Sequence, residues 1–305
     1  MSDLSVHFAG LSLKNPVVAA SGTFGFGREY GEFYDLSQLG AVCVKGLTLL
    51  ERDGNPPPRI AETPSGMLNA VGLQNPGVDA FIARELPWLR RHDVKVIANV
   101  SGSTVEEYGI LCEKLSEARV DLLELNISCP NVKEGGLAFG TSPASAAAVT
   151  AEAKRRSLVP VMVKLSPNVT DIASIAKAVE DAGADAVSLI NTILGMRINI
   201  KTRRPMLRCN TGGLSGPAVL PVAVRMVWQV RQATRLPILG MGGITKGADA
   251  VEFFLAGASA VAVGSGSFRD PYTPLRVRDE LDVYLRENGI RRVSELVGGV
   301  LPWIP

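Results

Sequence analysis

The chain has 305 residues, 46% of them hydrophobic, which is enough for a large core and corresponds to one barrel-sized domain or two ordinary ones. Its 32 Lys and Arg residues against 30 Asp and Glu residues leave a formal net charge of +2, and the basic residues are scattered apart from short groups such as residues 201–204. This distribution argues against a nucleic-acid-binding protein, which would present a basic stripe.

The N-terminus, MSDLSVHFAGLSLKNPVV, lacks the basic and apolar regions of a signal peptide, and no stretch of the chain reaches 18 uninterrupted apolar residues. We therefore expect a cytoplasmic protein without a membrane span. The cysteines, Cys43, Cys112, Cys129 and Cys209, are far apart and form no C-x-x-C pair, so we expect reduced thiols and no zinc ribbon or local iron–sulfur motif. Cys43 and Cys112 are interpreted as small buried hydrophobes, whereas the role of Cys209 stays open.

Eight short apolar runs, rich in Val and Ile and bounded by turn residues, predict strands. They are PVVAAS (16–21), AVCVKG (41–46), KVIANVS (95–101), LLELNIS (122–128), PVMVKLS (160–166), AVSLINT (186–192), PILGMGG (237–243) and AVAVGS (260–265). Helix signals lie between the runs, among them STVEEYGILCEKLSEA, VTDIASIAKAVEDAG and TKGADAVEFFLAG. The sequence thus predicts eight strand–helix units.

Hydrophobic strands that alternate with helices indicate a parallel sheet covered on its outer side, and eight such units predict a (β/α)8 TIM barrel of the α/β class. The opening LSVHFAGLSLKNP alternates around Ala9 and Gly10 and predicts a β-hairpin that closes the barrel floor. A doubly wound open sheet is the alternative, although no G-x-G-x-x-G follows the first strand. No linker divides the chain, so we expect a single domain over residues 1–305.

Polar residues and glycines follow the predicted strands, at the end where barrels of this kind carry their functional sites. They are Ser21, Gly22, Lys45, Gly46, Asn99, Asn126, Lys164, Asn191, Thr192, Gly242, Gly243, Gly264 and Ser265. A single Asn or Lys at the end of a strand is usually a cap or turn residue. Here two lysines and three asparagines are expected to meet, and buried lysines need an anionic partner. The Gly-rich segments GGITKG and GSGSFRDP after strands 7 and 8 predict a phosphate site.

Cys129 follows the fourth strand in LELNISCPNV and is the best proton-transfer candidate at this end of the barrel. The chain has two histidines, His7 in the predicted floor hairpin and His92 at a helix end. Because neither is expected at the catalytic end of the barrel, Ser/His/Asp and Cys/His catalytic sites are disfavoured. No Asp or Glu cluster ends the strands, so no metal site is expected. The Gly-rich KEGGLAFGTS that follows has the composition of a mobile lid.

In this order, the motifs resemble those of the dihydroorotate dehydrogenases, and most closely the class 1B catalytic subunit. The resemblance covers almost the whole chain through NPVVAASGTFGFG, KGLT, GNPPPRIAETPSGMLNAVGLQNPG, ANVSG, LELNISCPN, VKLSPN, NT, GGLSGPA, GMGGI and VGSGSF. It implies an FMN-containing barrel that oxidises (S)-dihydroorotate to orotate in pyrimidine synthesis. Cys129 would remove the C5 proton while the C6 hydride passes to flavin N5.

The resemblance also assigns roles by position. It implies FMN contacts from Ser21, Lys45, Gly46, Asn99, Asn126, Lys164, Ile190, Gly216, Gly242, Gly243, Gly264 and Ser265. It implies substrate contacts from Lys45, Asn69, Ala70, Val71, Gly72, Leu73, Asn126, Asn191 and Thr192. Lys164 would stabilise the negative charge that builds on the flavin during reduction.

Class 1B membership implies a separate electron-transfer subunit that carries FAD and a [2Fe-2S] cluster and reduces NAD, with a homodimer of this chain inside a heterotetramer. A fumarate-using class 1A enzyme is the alternative, and class 2 is disfavoured because the barrel begins almost at residue 1. A second alternative is a tRNA dihydrouridine synthase, which would need a basic surface and a further helical domain. A third is a non-enzymatic scaffold, which would bind no flavin and would therefore be colourless.

Overall fold

The computed structural model describes residues 2–128 and 139–303. The strands are β1 (Val6–Phe8), β2 (Leu11–Leu13), β3 (Val17–Ala19), β4 (Ala41–Cys43), β5 (Ile60–Thr63), β6 (Gly66–Asn69), β7 (Lys95–Val100), β8 (Leu122–Asn126), β9 (Val161–Lys164), β10 (Ala186–Leu189), β11 (Ile193–Gly195), β12 (Ile198–Asn199), β13 (Arg204–Pro205), β14 (Gly212–Ser215), β15 (Ile238–Met241) and β16 (Ala260–Val263). The α-helices are α1 (Arg28–Gly31), α2 (Val78–Ala80), α3 (Leu86–Leu89), α4 (Val105–Glu117), α5 (Pro143–Arg156), α6 (Ile172–Asp181), α7 (Leu220–Ala233), α8 (Gly247–Ala256), α9 (Gly266–Arg269) and α10 (Thr273–Glu287). A π-helical segment, Phe81–Glu85, joins α2 to α3.

Eight parallel strands close the barrel in the order β3, β4, β7, β8, β9, β10, β15 and β16. They are the eight strands predicted from the apolar runs, so the (β/α)8 class is confirmed and the open-sheet alternative is wrong. All residues of β9, β10, β15 and β16 are buried. Nearly continuous apolar runs form these strands because each one faces the packed interior on one side and helices on the other.

Strand register brings the polar side chains of neighbouring strands to the same level. Asn126 lies opposite Lys164, and Lys164 lies opposite Ser188 on the next strand. Asn99 and Glu124 are likewise register partners. Asn126 and Lys164 are the last residues of β8 and β9, so they stand at the carboxyl ends of the barrel strands, hereafter the mouth of the barrel.

The helices predicted from STVEEYGILCEKLSEA, VTDIASIAKAVEDAG and TKGADAVEFFLAG are confirmed as α4, α6 and α8. Side-chain caps fix where two of them begin. Thr104 accepts from the backbone N–H of Glu107, and Asp171 accepts from Ala173 and Ser174. No helix within the described ranges has the length and apolar character needed to cross a membrane.

The N-terminal hairpin of β1 and β2 is confirmed, with Val6 opposite Leu13. Ala9 and Gly10 form its turn with positive φ angles of 49° and 80°. A Cβ atom on Gly10 would lie 3.8 Å from the Pro160 ring, and Pro160 immediately precedes β9. The hairpin therefore covers the N-terminal end of the barrel, opposite the mouth.

An antiparallel sheet that the sequence analysis did not predict lies beside the mouth. It has the order β11, β14, β6 and β5 and is called the accessory sheet below. Its strands come from the segments that follow β4 and β10. They were missed because they are only three or four residues long and three of them contain glycine, which obscures the two-residue alternation that marks a strand.

Candidate active site at the barrel mouth

A buried carboxylate, Glu124, lies at the centre of the polar residues beneath the mouth. It is 0% exposed and accepts hydrogen bonds from Asn99 Nδ2 at 2.6 Å and from Ser188 Oγ at 2.7 Å. The Cys43 thiol donates to it at 3.1 Å, and Lys164 Nζ lies 3.8 Å from its Oε2 atom. Four strands thus converge on one carboxylate through side chains that donate to it or neutralise it.

The charge state of Glu124 follows from these contacts. Burial alone would raise the pKa of its carboxyl group, but the Lys164 ammonium and the hydrogen bonds from Ser188, Cys43 and Asn99 hold the pKa below its usual value. Glu124 and Lys164 therefore form a charged pair inside the barrel. Such a pair is retained only when hydrogen bonds satisfy the remaining lone pairs, as they do here.

Cys43 is a hydrogen-bond donor in the network around Glu124 and not a reactive thiol. Burial, followed by the negative charge of Glu124, raises the pKa of its thiol well above the usual value. The thiol therefore stays protonated and serves as a hydrogen-bond donor, and the backbone of Ser21 hydrogen-bonds the same sulfur. The prediction of a buried structural thiol is confirmed, with a specific donor role added.

Asn99 is oriented by its partner. A carboxylate can only accept, so the amide nitrogen of Asn99 must face Glu124 and the amide oxygen must face away. This Oδ1 atom is buried and has no hydrogen-bond partner among the described residues. A Cβ atom on Gly46 would lie 2.7 Å from it, so only glycine at position 46 fits against this oxygen without displacing the amide.

Two asparagines of the predicted substrate site meet at the mouth. Asn191 Nδ2 donates to Asn126 Oδ1 at 3.3 Å, and Asn191 Oδ1 accepts from the backbone N–H of Thr192 at 2.8 Å. The Tyr108 hydroxyl donates to the Asn126 carbonyl oxygen at 2.7 Å and anchors the end of β8. The predicted grouping of Asn126, Asn191 and Thr192 is therefore present.

The predicted substrate segment 69–73 also lies at the mouth. A Cβ atom on Gly46 would lie 3.4 Å from the Leu73 side chain, so the segment packs against the end of the second barrel strand. Asn75 holds the segment in place by donating to the Leu73 carbonyl oxygen at 2.7 Å, and Asn69 Nδ2 donates to Gly213 at 3.4 Å. The half-buried Lys45 is fixed through its backbone N–H, which donates to Gly25 at 2.9 Å.

The predicted phosphate loops are neighbours because β15 pairs with β16. Gly242 and Gly243 have φ angles of 132° and 82°, which favour glycine. A Cβ atom on Gly243 would lie 2.9 Å from the Gly216 carbonyl oxygen, and one on Gly242 would lie 3.2 Å from Ile190. Four of the residues predicted to hold FMN are thus packed together at this edge of the mouth.

Other predicted residues lie elsewhere or beyond what the structure describes. Cys129, the predicted base, and the Gly-rich segment after it lie mainly in residues 129–138, outside the described residues. His7 contacts Ser12 within the floor hairpin, and His92 packs against Trp88, so neither lies at the mouth. Cys209 is exposed.

Sequence reasoning missed three supporting residues. Glu124 is a charged residue in the otherwise apolar run LLEL (122–125), and that interruption was a readable signal. Asn75, followed by proline and glycine, is typical of a turn that uses its own side chain. Ser188 gave no signal, because a serine inside a strand becomes informative only when its cross-barrel partner is known.

Comparison with known proteins identifies the family of this chain. Residues 3–285 match the family described as "Dihydroorotate dehydrogenase". Over 299 residues the chain is 60% identical to a protein of Anoxybacillus flavithermus and 58% identical to proteins of Geobacillus kaustophilus and Bacillus caldolyticus. Each alignment covers 98% of this chain and 96% of the relative, and all three carry the name "Dihydroorotate dehydrogenase B (NAD(+)), catalytic subunit". The chain therefore belongs to the dihydroorotate dehydrogenase family.

Proposed function

We propose that this chain is an FMN-containing catalytic subunit that oxidises (S)-dihydroorotate to orotate in pyrimidine biosynthesis, with NAD as the final electron acceptor. The observation that carries the proposal is the meeting of Lys164, Asn99, Asn126 and Asn191 at one end of a barrel whose relatives are named for this activity. We also propose that residues 1–305 act as a single FMN-binding barrel domain.

The residues at the mouth fit FMN. The orphaned Asn99 Oδ1 suits a ring N–H donor, and glycine at position 46 keeps a side chain from pressing against this oxygen. In the described part of the chain, the backbone N–H groups of Gly243, Gly264 and Ser265 donate to no acceptor, which suits a phosphate group. The full proposed set is Ser21, Lys45, Gly46, Asn99, Asn126, Lys164, Ile190, Gly216, Gly242, Gly243, Gly264 and Ser265.

The substrate ring of dihydroorotate alternates N–H and C=O groups and carries a carboxylate. Asparagine amides both donate and accept, so Asn126 and Asn191 match the ring edge, and Lys45 offers a cation for the carboxylate. The proposed substrate set is Lys45, Asn69, Ala70, Val71, Gly72, Leu73, Asn126, Asn191 and Thr192.

In the proposed mechanism, Cys129 acts as the base and takes the C5 proton of the substrate. Bound FMN supplies the two-electron acceptor for the hydrogen at C6. Lys164 places a buried positive charge where negative charge develops, and the asparagines hold the ring so that its reacting carbons stay in register with the base. Closure of the mouth over the substrate would exclude water from these groups.

The partner proposal rests on the words "catalytic subunit" and "NAD(+)" in the names of the relatives. We propose that two copies of this chain and two copies of an electron-transfer subunit form a heterotetramer in the cytoplasm. The partner would carry FAD and a [2Fe-2S] cluster. Electrons would leave FMN through that subunit.

The test is the visible spectrum of the purified chain, followed by anaerobic addition of dihydroorotate. We expect a flavin band that bleaches with dihydroorotate but does not bleach with orotate, the matched control. A colourless protein, or a band that does not bleach, contradicts the proposal. NAD reduction that requires a co-purified second chain supports class 1B, whereas reoxidation by fumarate in the single chain identifies class 1A instead.

A further inference from the structure

We infer that Glu124 is a positioning residue that lowers the reduction potential of the flavin by sharing the Lys164 ammonium with it. The inference rests on the proposed function, because it needs FMN at the mouth. It adds a residue outside the predicted set of flavin and substrate contacts. The contacts beneath the mouth carry it.

The distance between the two charges is the first step. Lys164 Nζ stands 3.8 Å from Glu124 Oε2, which is longer than the roughly 2.7–2.9 Å of a charge-assisted hydrogen bond. The two side chains are 8% and 1% exposed, so water screens their attraction little. Within residues 2–128 and 139–303, Glu124 is the one carboxylate in ion-pair range of Lys164. The ammonium is held near the carboxylate while its protons remain available to a ligand.

The second step is that the carboxylate cannot move with the lysine. Asn99, Ser188 and Cys43 donate to Glu124 from three different strands, at 2.6, 2.7 and 3.1 Å. These bonds fix both carboxylate oxygens inside the barrel. Glu124 is therefore a stationary negative charge in a site of low dielectric, where its field acts more strongly than it would in water.

The third step concerns the charge that a flavin gains on reduction. A fixed anion behind Lys164 repels that added charge and competes with it for the ammonium. Both effects favour the oxidised flavin and so lower its reduction potential. NAD is a low-potential acceptor, and a flavin held at low potential passes electrons towards it more readily. Glu124 therefore serves the onward transfer of electrons and not only the stability of the barrel.

The Glu124→Gln variant tests this role without changing the shape of the side chain. Its amide oxygen can accept from Asn99 and Cys43, and its amide nitrogen can donate to Ser188, whose hydroxyl rotates to accept. We expect FMN to stay bound and the ratio of reduced to oxidised flavin at a fixed potential to rise at least about tenfold, which is about 30 mV for a two-electron couple. The measurement is an anaerobic redox titration of the holoprotein.

Asp121→Asn is the matched control. Asp121 lies one residue before β8, at the floor of the barrel, and also pairs with a lysine, with Lys95 Nζ 3.1 Å from its Oδ1 atom. This variant removes a carboxylate and a hydrogen-bonded ion pair far from the mouth. We expect the same potential as in the unchanged protein, so a shift confined to Glu124→Gln cannot come from general destabilisation.

A second variant covers the case in which Glu124→Gln yields no folded holoprotein. Ser188→Ala removes one donor to the carboxylate. Titration at alkaline pH keeps Glu124 ionised in this variant, so its less screened charge acts more strongly on Lys164 and the potential is expected to fall. A potential that is unchanged or lowered in Glu124→Gln, or unchanged or raised in Ser188→Ala, overturns the inference. If the unchanged chain still binds FMN and bleaches with dihydroorotate, the proposed function survives that failure.

Discussion

Asn191 and Asn126 hydrogen-bond to each other over the intervening strand, with Asn191 Nδ2 donating to Asn126 Oδ1 at 3.3 Å. Because Thr192 N–H occupies Asn191 Oδ1, the pair is fixed in one orientation. Within the described residues Asn126 Nδ2 makes no hydrogen bond, so the pair presents a donor to a ligand at the mouth. Two side chains at the ends of non-adjacent strands thus form one fixed pair, which we propose as a recognition element for the substrate.

Asn191→Ala is expected to raise the KM for dihydroorotate about 10- to 100-fold, the equivalent of about 1.5–3 kcal/mol for a buried polar contact. The FMN content should stay unchanged because Lys164 and Asn99 keep their partners. Steady-state kinetics and the flavin absorbance measure the two effects. Asn288→Ala, at the exposed end of α10, is the control and should leave KM as it is. An unchanged KM in Asn191→Ala would remove this residue from the substrate site.

Gly46→Ala is expected to release FMN. The added Cβ would stand 2.7 Å from Asn99 Oδ1, so either the amide turns away from Glu124 or the ring loses its place. We expect the flavin-to-protein ratio after purification to fall at least about tenfold, since an overpacked buried site costs about 1–3 kcal/mol. Gly31→Ala is the control, because its Cβ would meet only the Trp88 ring at 3.4 Å. Full flavin content in Gly46→Ala would contradict the proposed position of the ring.

Asp121→Asn is expected to reduce the free energy of unfolding by about 1–2 kcal/mol at neutral pH. Burial alone would raise the pKa of Asp121, but the backbone N–H of Val96 and the Lys95 and Arg90 cations hold that pKa below its usual value. A carboxyl group whose pKa is lowered by folding stabilises the fold above its unfolded pKa. That contribution is lost as the pH falls through the folded pKa.

The pH dependence follows directly. The difference in the free energy of unfolding between Asp121→Asn and the unchanged protein should shrink as the pH falls below about 4, where the aspartate itself becomes neutral. Urea denaturation at several pH values measures this difference. Asp93→Asn is the control, because Asp93 pairs with Lys14 at 94% side-chain exposure and should contribute almost nothing. A difference that grows at low pH would contradict the stated role of Asp121.

Cys129→Ser is expected to lower kcat at least about 100-fold while FMN stays bound, because a positioned base contributes about that much or more. A free thiol has a pKa of about 8.5, so the rate of the unchanged enzyme should rise with pH towards an alkaline plateau. Cys209→Ser, at an exposed position, is the control. A flat profile from about pH 6 to 9, or undiminished activity in Cys129→Ser, would remove Cys129 from this role.

The barrel could be predicted from the sequence because its strands are apolar on both faces. Runs such as the one that forms β9 are short, mainly apolar and bounded by Pro160 and Ser166, and eight of them alternating with helices favour a closed barrel. The accessory sheet could not be predicted in the same way. Its β6 strand, GMLN, is half-exposed and begins at a glycine that packs against the Ser215 carbonyl oxygen, a contact invisible until the chain has folded.

The residues of the candidate site also differ in whether the sequence pattern alone could predict them. Lys164, Asn99 and Asn126 could be predicted because they follow apolar runs at the carboxyl ends of strands. Glu124 could be noticed but not interpreted, because its meaning comes from Ser188, 64 residues away along the chain. A residue whose role depends on a partner far along the chain can be interpreted only once the fold is known. A residue that ends a strand can be predicted from the sequence pattern alone.

The accessory sheet joins two loops that the chain forms separately. Met67 lies opposite Ser215 and Leu68 opposite Leu214, so the loop after the second barrel strand and the loop after the sixth share one set of backbone hydrogen bonds. Transplanting either loop alone into another barrel would leave an unpaired strand edge. A transfer of substrate preference from one relative to another would therefore require that both loops be replaced together.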